Sequence, residues 1–467
     1  MAELIDSSLL TLAHRIESRD ISPVELTQAV LSEIESRNGE LHAYICVYGD
    51  DALAKARTAE AEISGGRYRG PLHGIPMGIK DNFYFKDRIT TMGSKIHERF
   101  VPDTGATAVD KLESAGAIFV GKLNLHEYAL GVTTENPHFG DAKNPWNLTK
   151  IAGGSSGGAG VAIPTGLTIG SLGSDTSGSI RIPAACCGIV GLKPTYGRVS
   201  KFGVFPEAWT LDHVGPMART VGDVAVLLDT VAGYDPKDPT SLNSPATTTY
   251  GALTGDIDGM VVGVNEQFFF KDVDRVVADV VRDGIRSLES RGAIIEPIEI
   301  PHIEDAEYAI TIIDTSETST VHHRALRDRP QDYGDDVRFL LECGEIPSAV
   351  DYLEAQQMRA RLRQSFASVF DRVDVLAAPT LPIRTPDIGQ ATSSINGHSV
   401  DTVEALMRLV GPANLLGLPS LSAPCGLIDG MPVGLQIIGP PLGEQPVLNA
   451  ARAVEDSGLF AVTELPH

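Results

Sequence analysis

Residues 151–203 read IAGGSSGGAGVAIPTGLTIGSLGSDTSGSIRIPAACCGIVGLKPTYGRVSKFG. The segment is dense in Gly and Ser, yet apolar runs interrupt it throughout. A flexible Gly/Ser linker lacks such runs, so the pattern indicates tight loops inside a core. Two loops stand out, Gly153-Gly154-Ser155-Ser156-Gly157-Gly158 and Gly173-Ser174-Asp175-Thr176-Ser177-Gly178-Ser179-Ile180-Arg181. Each presents hydroxyls from backbone that can turn sharply, because glycine tolerates positive φ and close approach to the main chain. Successive N–H groups in such turns form a concave anion site. A serine placed there has what acyl transfer needs, an exposed hydroxyl beside donors for the developing oxyanion.

A serine hydroxyl is a weak nucleophile and needs a base. Upstream, Gly74-Ile75-Pro76-Met77-Gly78-Ile79-Lys80 reads as a short buried strand that ends in a charge. A lysine acting as base near pH 7 needs its pKa lowered by about 3 units, roughly 4 kcal/mol. Desolvation supplies such a shift, because burial disfavours the ammonium.

Outward from this segment the pattern is α/β. Leu9, Leu12, Ala13 and Ile16 share a helical face. Ser22-Pro23-Val24-Glu25 reads as a capping box that opens a helix ending near Asn38-Gly39. Helices are expected over residues 51–62, 104–115, 272–289 and 348–372. Strands are expected over 117–121, 260–264, 293–298, 375–378 and 433–438. Residues 235–256, rich in Pro, Thr, Ser and Asp, read as a surface loop. Alternating helices and strands predict α/β layering, and the length allows one large domain or two to three smaller ones. Within residues 1–467 the expected organisation has helices to about residue 65 and a catalytic core over about 66–235 and 370–467. A substrate-side subregion is expected over about 236–369.

The chain resembles the amidase-signature family. The resemblance rests on GIPMGIKDN at 74–82, AGGSSGGAG at 152–160 and GSDTSGSIRIPAACCGIVGLKPTYGRVS at 173–200. It continues through LDHVGPMART at 211–220 and MPVGLQIIG at 431–439, and so covers nearly the whole chain. It implies a single large α/β domain with a central mixed sheet flanked by helices. It also implies a Ser–cisSer–Lys triad with Lys80 as base, Ser155 as bridge on a cis peptide and Ser179 as nucleophile. The two serines stand 24 residues apart, as in that family. The resemblance further implies an oxyanion hole from the N–H groups of Thr176, Ser177, Gly178 and Ser179, braced by Gly154, Ser156, Asp175 and Arg181. One departure stands out: the family has DTGGS where this chain has DTSGS, which puts Ser177 in place of glycine.

The activity implied is hydrolysis of amide-like C–N bonds in amides, anilides, carbamates (a urethanase activity) or carboxylated ureas. An alternative is the glutaminase subunit of a tRNA-dependent amidotransferase, which shares the GLKPTYGRVS run. Residues 332–363 look more like stand-alone amidases. The expectation is therefore a stand-alone cytoplasmic enzyme with a small-molecule substrate, no nucleic acid, no membrane, no metal or organic cofactor, and the homodimer common in that family.

Composition agrees with a globular chain. It has 467 residues, 42% apolar and 21% charged, with a formal charge of −23. Such acidity disfavours a phosphate-neutralising surface. Five cysteines without a C-x-x-C pair are read as small buried hydrophobes. The start, MAELIDSSLLTLAHRIES, lacks the basic and apolar regions of a secretory signal. Gly153-x-Ser155-x-Gly157 also fits a nucleophile elbow, but no downstream histidine stands in a telling context. The P-loop pattern is absent, His322-His323 reads as a helical surface pair, and Lys193 as a structural lysine. Phe202, Phe205, Trp209 and Phe268 to Phe270 suit either an apolar substrate or the core.

Overall fold

Helix starts follow their caps. Ser22 Oγ accepts from the Val24 and Glu25 N–H groups (2.9 and 3.3 Å), and Pro23 takes the first helical position. That helix runs on to Leu41, past the expected stop at Asn38-Gly39, and ends where His42 turns left-handed (φ 50°). Asn38 is a tie and not a stop: its side chain bonds both the N–H and the carbonyl of Tyr44. The two-way capping box forms at Ser348 and Asp351 instead. In the computed structural model, which describes residues 2–245, 248–459 and 465, residues 235–245 and 248–256 are loop, as expected.

Two main sheets carry the site. Strands β1 (Tyr44–Val47), β2 (Pro76–Lys80) and β3 (Ile118–Leu123) form a small sheet in the order β1-β3-β2, with β2 parallel to β3. The large sheet draws on β4 (Gly170–Asp175), β5 (Val190–Lys193), β6 (His213–Ala218), β7 (Val261–Val264), β8 (Ile294–Pro297) and β9 (Val375–Pro379). A two-stranded hairpin, β10 (Thr392–Ile395) and β11 (His398–Asp401), turns at Asn396-Gly397, both at positive φ. Strands β12 (Ser420–Ile428) and β13 (Met431–Ile438) complete the large sheet, in the order β4-β6-β5-β12-β13-β9-β7-β8. Its β9-β7-β8 end is parallel and the rest antiparallel. The chain is thus one large α/β domain with a mixed sheet flanked by helices.

Helix Arg275–Ser290 shows why the layers adhere. Val277, Val281, Ile285 and Leu288 recur at helical spacing, are buried, and face β12 and β13. Burying each such side chain contributes about 1.5–3 kcal/mol. The two sheets meet where Ile169 N–H donates to Pro76 O and Gly78 N–H donates to Thr168 Oγ1. This contact sets the end of β2 against the end of β4.

Two further expectations need correction. His322 is not at the surface. It is buried on helix Asp305–Asp328 and bonds Tyr333 Oη (3.0 Å), its ring 4.3 Å from that of Tyr128; only His323 is exposed. Adjacent residues on a helix point about 100° apart, so one faces inward. Of the cysteines, Cys186, Cys187 and Cys425 are buried, whereas Cys46 and Cys343 are only half-buried; all five are free. No helix among the described residues is long and apolar enough to cross a membrane.

Candidate active site

Lys80 ends β2 with no exposed surface. Its Nζ donates to Ser155 Oγ (2.7 Å) and to Ser174 Oγ (2.8 Å), and Ser174 Oγ also accepts from Asn82 Nδ2 (2.9 Å). Burial lowers the Lys80 ammonium to about 7, against the opposing pull of Glu207, Asp175 and Asp212. A base poised there is neutral over much of the working range.

Ser155 sits on the turn before helix Gly157–Ala162, and the Gly154–Ser155 peptide is cis. Thr134 Oγ1 clasps this turn: it donates to Gly153 O (2.9 Å) and accepts from Gly157 N–H (3.1 Å). A Cβ on Gly157 would come within 2.4 Å of Thr134 Oγ1, which is why glycine stands there. His126 N–H donates to Ser155 O (3.1 Å), and Ser156 N–H to Ser179 O (3.2 Å). The two serine loops are therefore bonded to each other.

Ser179 lies between β4 and helix Arg181–Cys187, where Asp175 organises the turn. Asp175 Oδ1 accepts from Gly178 N–H (2.9 Å) and Oδ2 from Ile180 N–H (3.1 Å). The Arg181 guanidinium bonds both carboxylate oxygens and reaches Gln436 Oε1 (2.7 Å) and the Val410 carbonyl (2.9 Å). Asn414 Nδ2 adds a further donor to Asp175 Oδ1 (2.8 Å). Burial pushes the Asp175 carboxyl up, but the Arg181 guanidinium and these donors hold it well below the ordinary carboxylate range.

The left-handed position of the turn falls on Gly178 (φ 114°), where a Cβ would meet Val410 at 2.4 Å. Ser177 is not among the positive-φ residues, so its Cβ causes no strain. Its hydroxyl donates to Asp314 Oδ2 (2.7 Å), and Thr176 Oγ1 donates to Asp212 Oδ1 (2.6 Å). One expected donor is committed elsewhere: the Gly178 N–H goes to Asp175 and does not face the site. The N–H groups of Thr176, Ser177 and Ser179 carry no hydrogen bond within the described chain.

Beside Ser174 opens a cavity of about 210 Å³, lined by Asn82, Phe202, Phe205, Glu207, Trp209 and His213 among others. Three of the expected aromatic residues thus border the lysine side of the site. Phe268 lines a separate groove with Arg408, and Phe269 packs in the core.

With this geometry in place, comparison with known proteins gives a match to the amidase family over residues 25–448. The chain belongs to the amidase family. This amidase is 39% identical, over 97% of both chains, to the A subunit of the glutamyl-tRNA(Gln) amidotransferase of Chloroflexus aurantiacus. Its structure superposes on a chain of the vestigial protein complex that reveals the evolutionary origins of an s-triazine catabolic enzyme. The TM-score is 0.94 and the identity 34%, over 97% of this chain and 99% of that one. The A subunit of the glutamyl-tRNA(Gln) amidotransferase of Thermotoga maritima gives 0.80 at 31% identity, over 95% of each chain.

These relatives correct the expected setting. A stand-alone enzyme with a small-molecule substrate, no nucleic acid and at most a second copy as partner does not stand, because the curated relatives are subunits of an amidotransferase named for a tRNA. The net charge bears only on this chain's own surface. Sequence reading also missed several side chains that hold this amidase's site. Ser174, Asn82, Asp212 and Gln436 lie inside motifs already quoted. Thr134, Asp314 and Asn414 carry no local signal, because only the fold brings them near.

Proposed function

We propose that this amidase is the glutaminase-type A subunit of a tRNA-dependent amidotransferase and works with partner subunits. The observation that carries the reading is the match, at 39% identity over 97% of both chains, to an amidotransferase A subunit. The site residues support the chemistry. Neutral Lys80 takes a proton from Ser155, Ser155 takes one from Ser179, and Ser179 Oγ attacks the amide carbonyl. The N–H groups of Thr176, Ser177 and Ser179 face the oxyanion. Ammonia leaves as the proton returns through Ser155. Water then hydrolyses the acyl-enzyme along the same relay, which restores all three groups.

The likeness to a chain of the complex that reveals the origins of an s-triazine catabolic enzyme favours a second reading, an amide-like C–N substrate other than glutamine, for which a carboxylated urea serves as the probe; that chain too comes from a complex. The test is ammonia release from glutamine and from a carboxylated urea. It is run with the chain alone and with the proteins that co-purify with it, using Ser179→Ala as blank. Glutamine hydrolysis that rises at least about tenfold with the partners supports the amidotransferase reading. Efficient cleavage of the urea by the chain, with glutamine ignored, replaces it with the second.

The pH dependence has a definite sign. Lys80 must be neutral to accept a proton, and burial places its change near 7. Activity should rise as pH climbs through about 7 and fall about tenfold per unit below it. A flat profile from pH 5 to 7.5 would remove Lys80 as the base.

A further inference from the structure

Three carboxyl groups, Glu207, Asp212 and Asp314, lie buried around the Ser179 turn. Asp175, equally buried, is paired with Arg181, whereas no Lys or Arg of the described residues forms an ion pair with these three. Burying a carboxylate without a counter-charge is costly, so burial pushes all three carboxyls up, and such groups persist where a site uses them. Asp212 holds Thr176 and two backbone N–H groups of its own loop. Asp314 comes from a different layer: it sits on helix Asp305–Asp328, 137 residues from Ser177, whose hydroxyl it accepts at 2.7 Å. Its second oxygen accepts from Thr318 Oγ1 (3.3 Å).

We propose that Asp314 is a positioning residue: through Ser177 Oγ it fixes the turn so that the Ser177 N–H points at the substrate's carbonyl oxygen. The proposal rests on Ser179 being the nucleophile. It also gives the DTSGS departure a purpose, because a glycine at position 177 would leave Asp314 Oδ2 without the hydroxyl it holds and would free the turn from Asp314.

The charge state matters as much as the bond. A carboxylate this near the turn opposes the negative charge that develops on the substrate oxygen, and a neutral acid does not. Burial pushes Asp314 up to about 7, with Asp212 and Glu317 adding to the shift and the Ser177 and Thr318 hydroxyls opposing it. The charged groups around it agree. Glu207 and Asp212 face it from the 205–212 loop and Glu317 stands on its own helix. Arg359 and Tyr352, on helix Ala349–Phe370, are engaged by Thr210 and Glu317. Helix Gly411–Leu416 offers no titratable side chain. The turn therefore works best below the pH at which Asp314 ionises, while the base works best above the pH at which Lys80 deprotonates.

A fluorophosphonate probe tests this without knowledge of the substrate. Ser179 Oγ bonds phosphorus, fluoride leaves, and the serine proton passes through Ser155 to Lys80. Labelling rates are measured from pH 5.5 to 9.5 for the full chain and for Ser179→Ala, Ser177→Ala, Asp314→Ala, Asp314→Asn and the double variant Ser177→Ala/Asp314→Ala. Wild type should peak near neutral pH. Asp314→Ala and Ser177→Ala should each label about tenfold more slowly, and the double variant no more slowly than the slower single. Asp314→Asn, which keeps an acceptor but cannot ionise, should recover most of the rate and lose the alkaline fall. Wild-type rate and profile in Asp314→Ala, or fully additive losses in the double variant, overturn the proposal. Wild type labelled and Ser179→Ala unlabelled uphold the nucleophile reading whatever Asp314 does; an unlabelled wild type overturns both. If Asp314→Ala does not fold, Ser177→Ala, which removes only the donor, decides the matter.

Discussion

Ser179→Ala is expected to lose about 10⁴–10⁶-fold in amide hydrolysis while its melting temperature stays within about 2 °C of wild type. The kinetic loss follows from the role: the Thr176 and Ser177 hydroxyls on the same turn are engaged by Asp212 and Asp314, which leaves the Ser179 hydroxyl, at the start of helix Arg181–Cys187, to react. The preserved stability follows from the contacts. Ser179 Oγ makes no hydrogen bond to another described residue, so alanine leaves no partner orphaned, and the Ser156 N–H bond to the Ser179 carbonyl remains. The check is ammonia release beside a thermal melt. A folded variant with more than a few per cent of wild-type rate would show that Ser179 is not the nucleophile.

Arg181→Ala should destabilise the protein by about 3–5 kcal/mol and disable the site as well. The guanidinium is fully buried and bonds Asp175, Gln436, Asn414 and the Val410 carbonyl. Without it, Asp175 is a buried carboxylate with no counter-charge, and its grip on the Gly178 and Ile180 N–H groups weakens. Arg181→Lys restores the charge but not the planar fork, and should recover only part of the loss. The sign with pH is fixed too. The depressed pKa of Asp175 contributes stability that is fully present above the unfolded carboxylate value near 4 and is lost as pH falls below it. The acid arm of stability should therefore be shallower in Arg181→Ala. Urea midpoints at pH 7 and pH 4 measure both effects, and a shift under about 1 kcal/mol at pH 7 would rule out this role.

Much of the site was legible because it is local in the chain. Gly153 to Gly158 and Gly173 to Arg181 each form their own turn, and Pro76 to Lys80 forms its own strand, so a short window holds both the reactive atom and the geometry that presents it. The glycine-rich strands are harder to read. β4 (GSLGSD) has neither alternation nor β-branched residues, and it is a strand because it pairs with β6 along its whole length. The Asp305–Asp328 helix escapes sequence reading because its buried residues spread round it among polar ones, which blurs the helical period. The same blur hides the inward face that His322 takes.

The sequence by itself determined the family fold, the lysine and the two serines, because these are short-range patterns of residue type. Tertiary structure decided what those residues can do. Lys80 can serve as the base of the proposed relay because the fold buries it completely and removes its water. Ser155 is held by Thr134, and Asp175 by Asn414 from 239 residues away. Ser177, an oddity in the one-dimensional chain, is the hydroxyl that a buried acid on a distant helix holds. Burial and convergence are properties of the folded chain, and pKa and hydrogen-bond geometry depend on both.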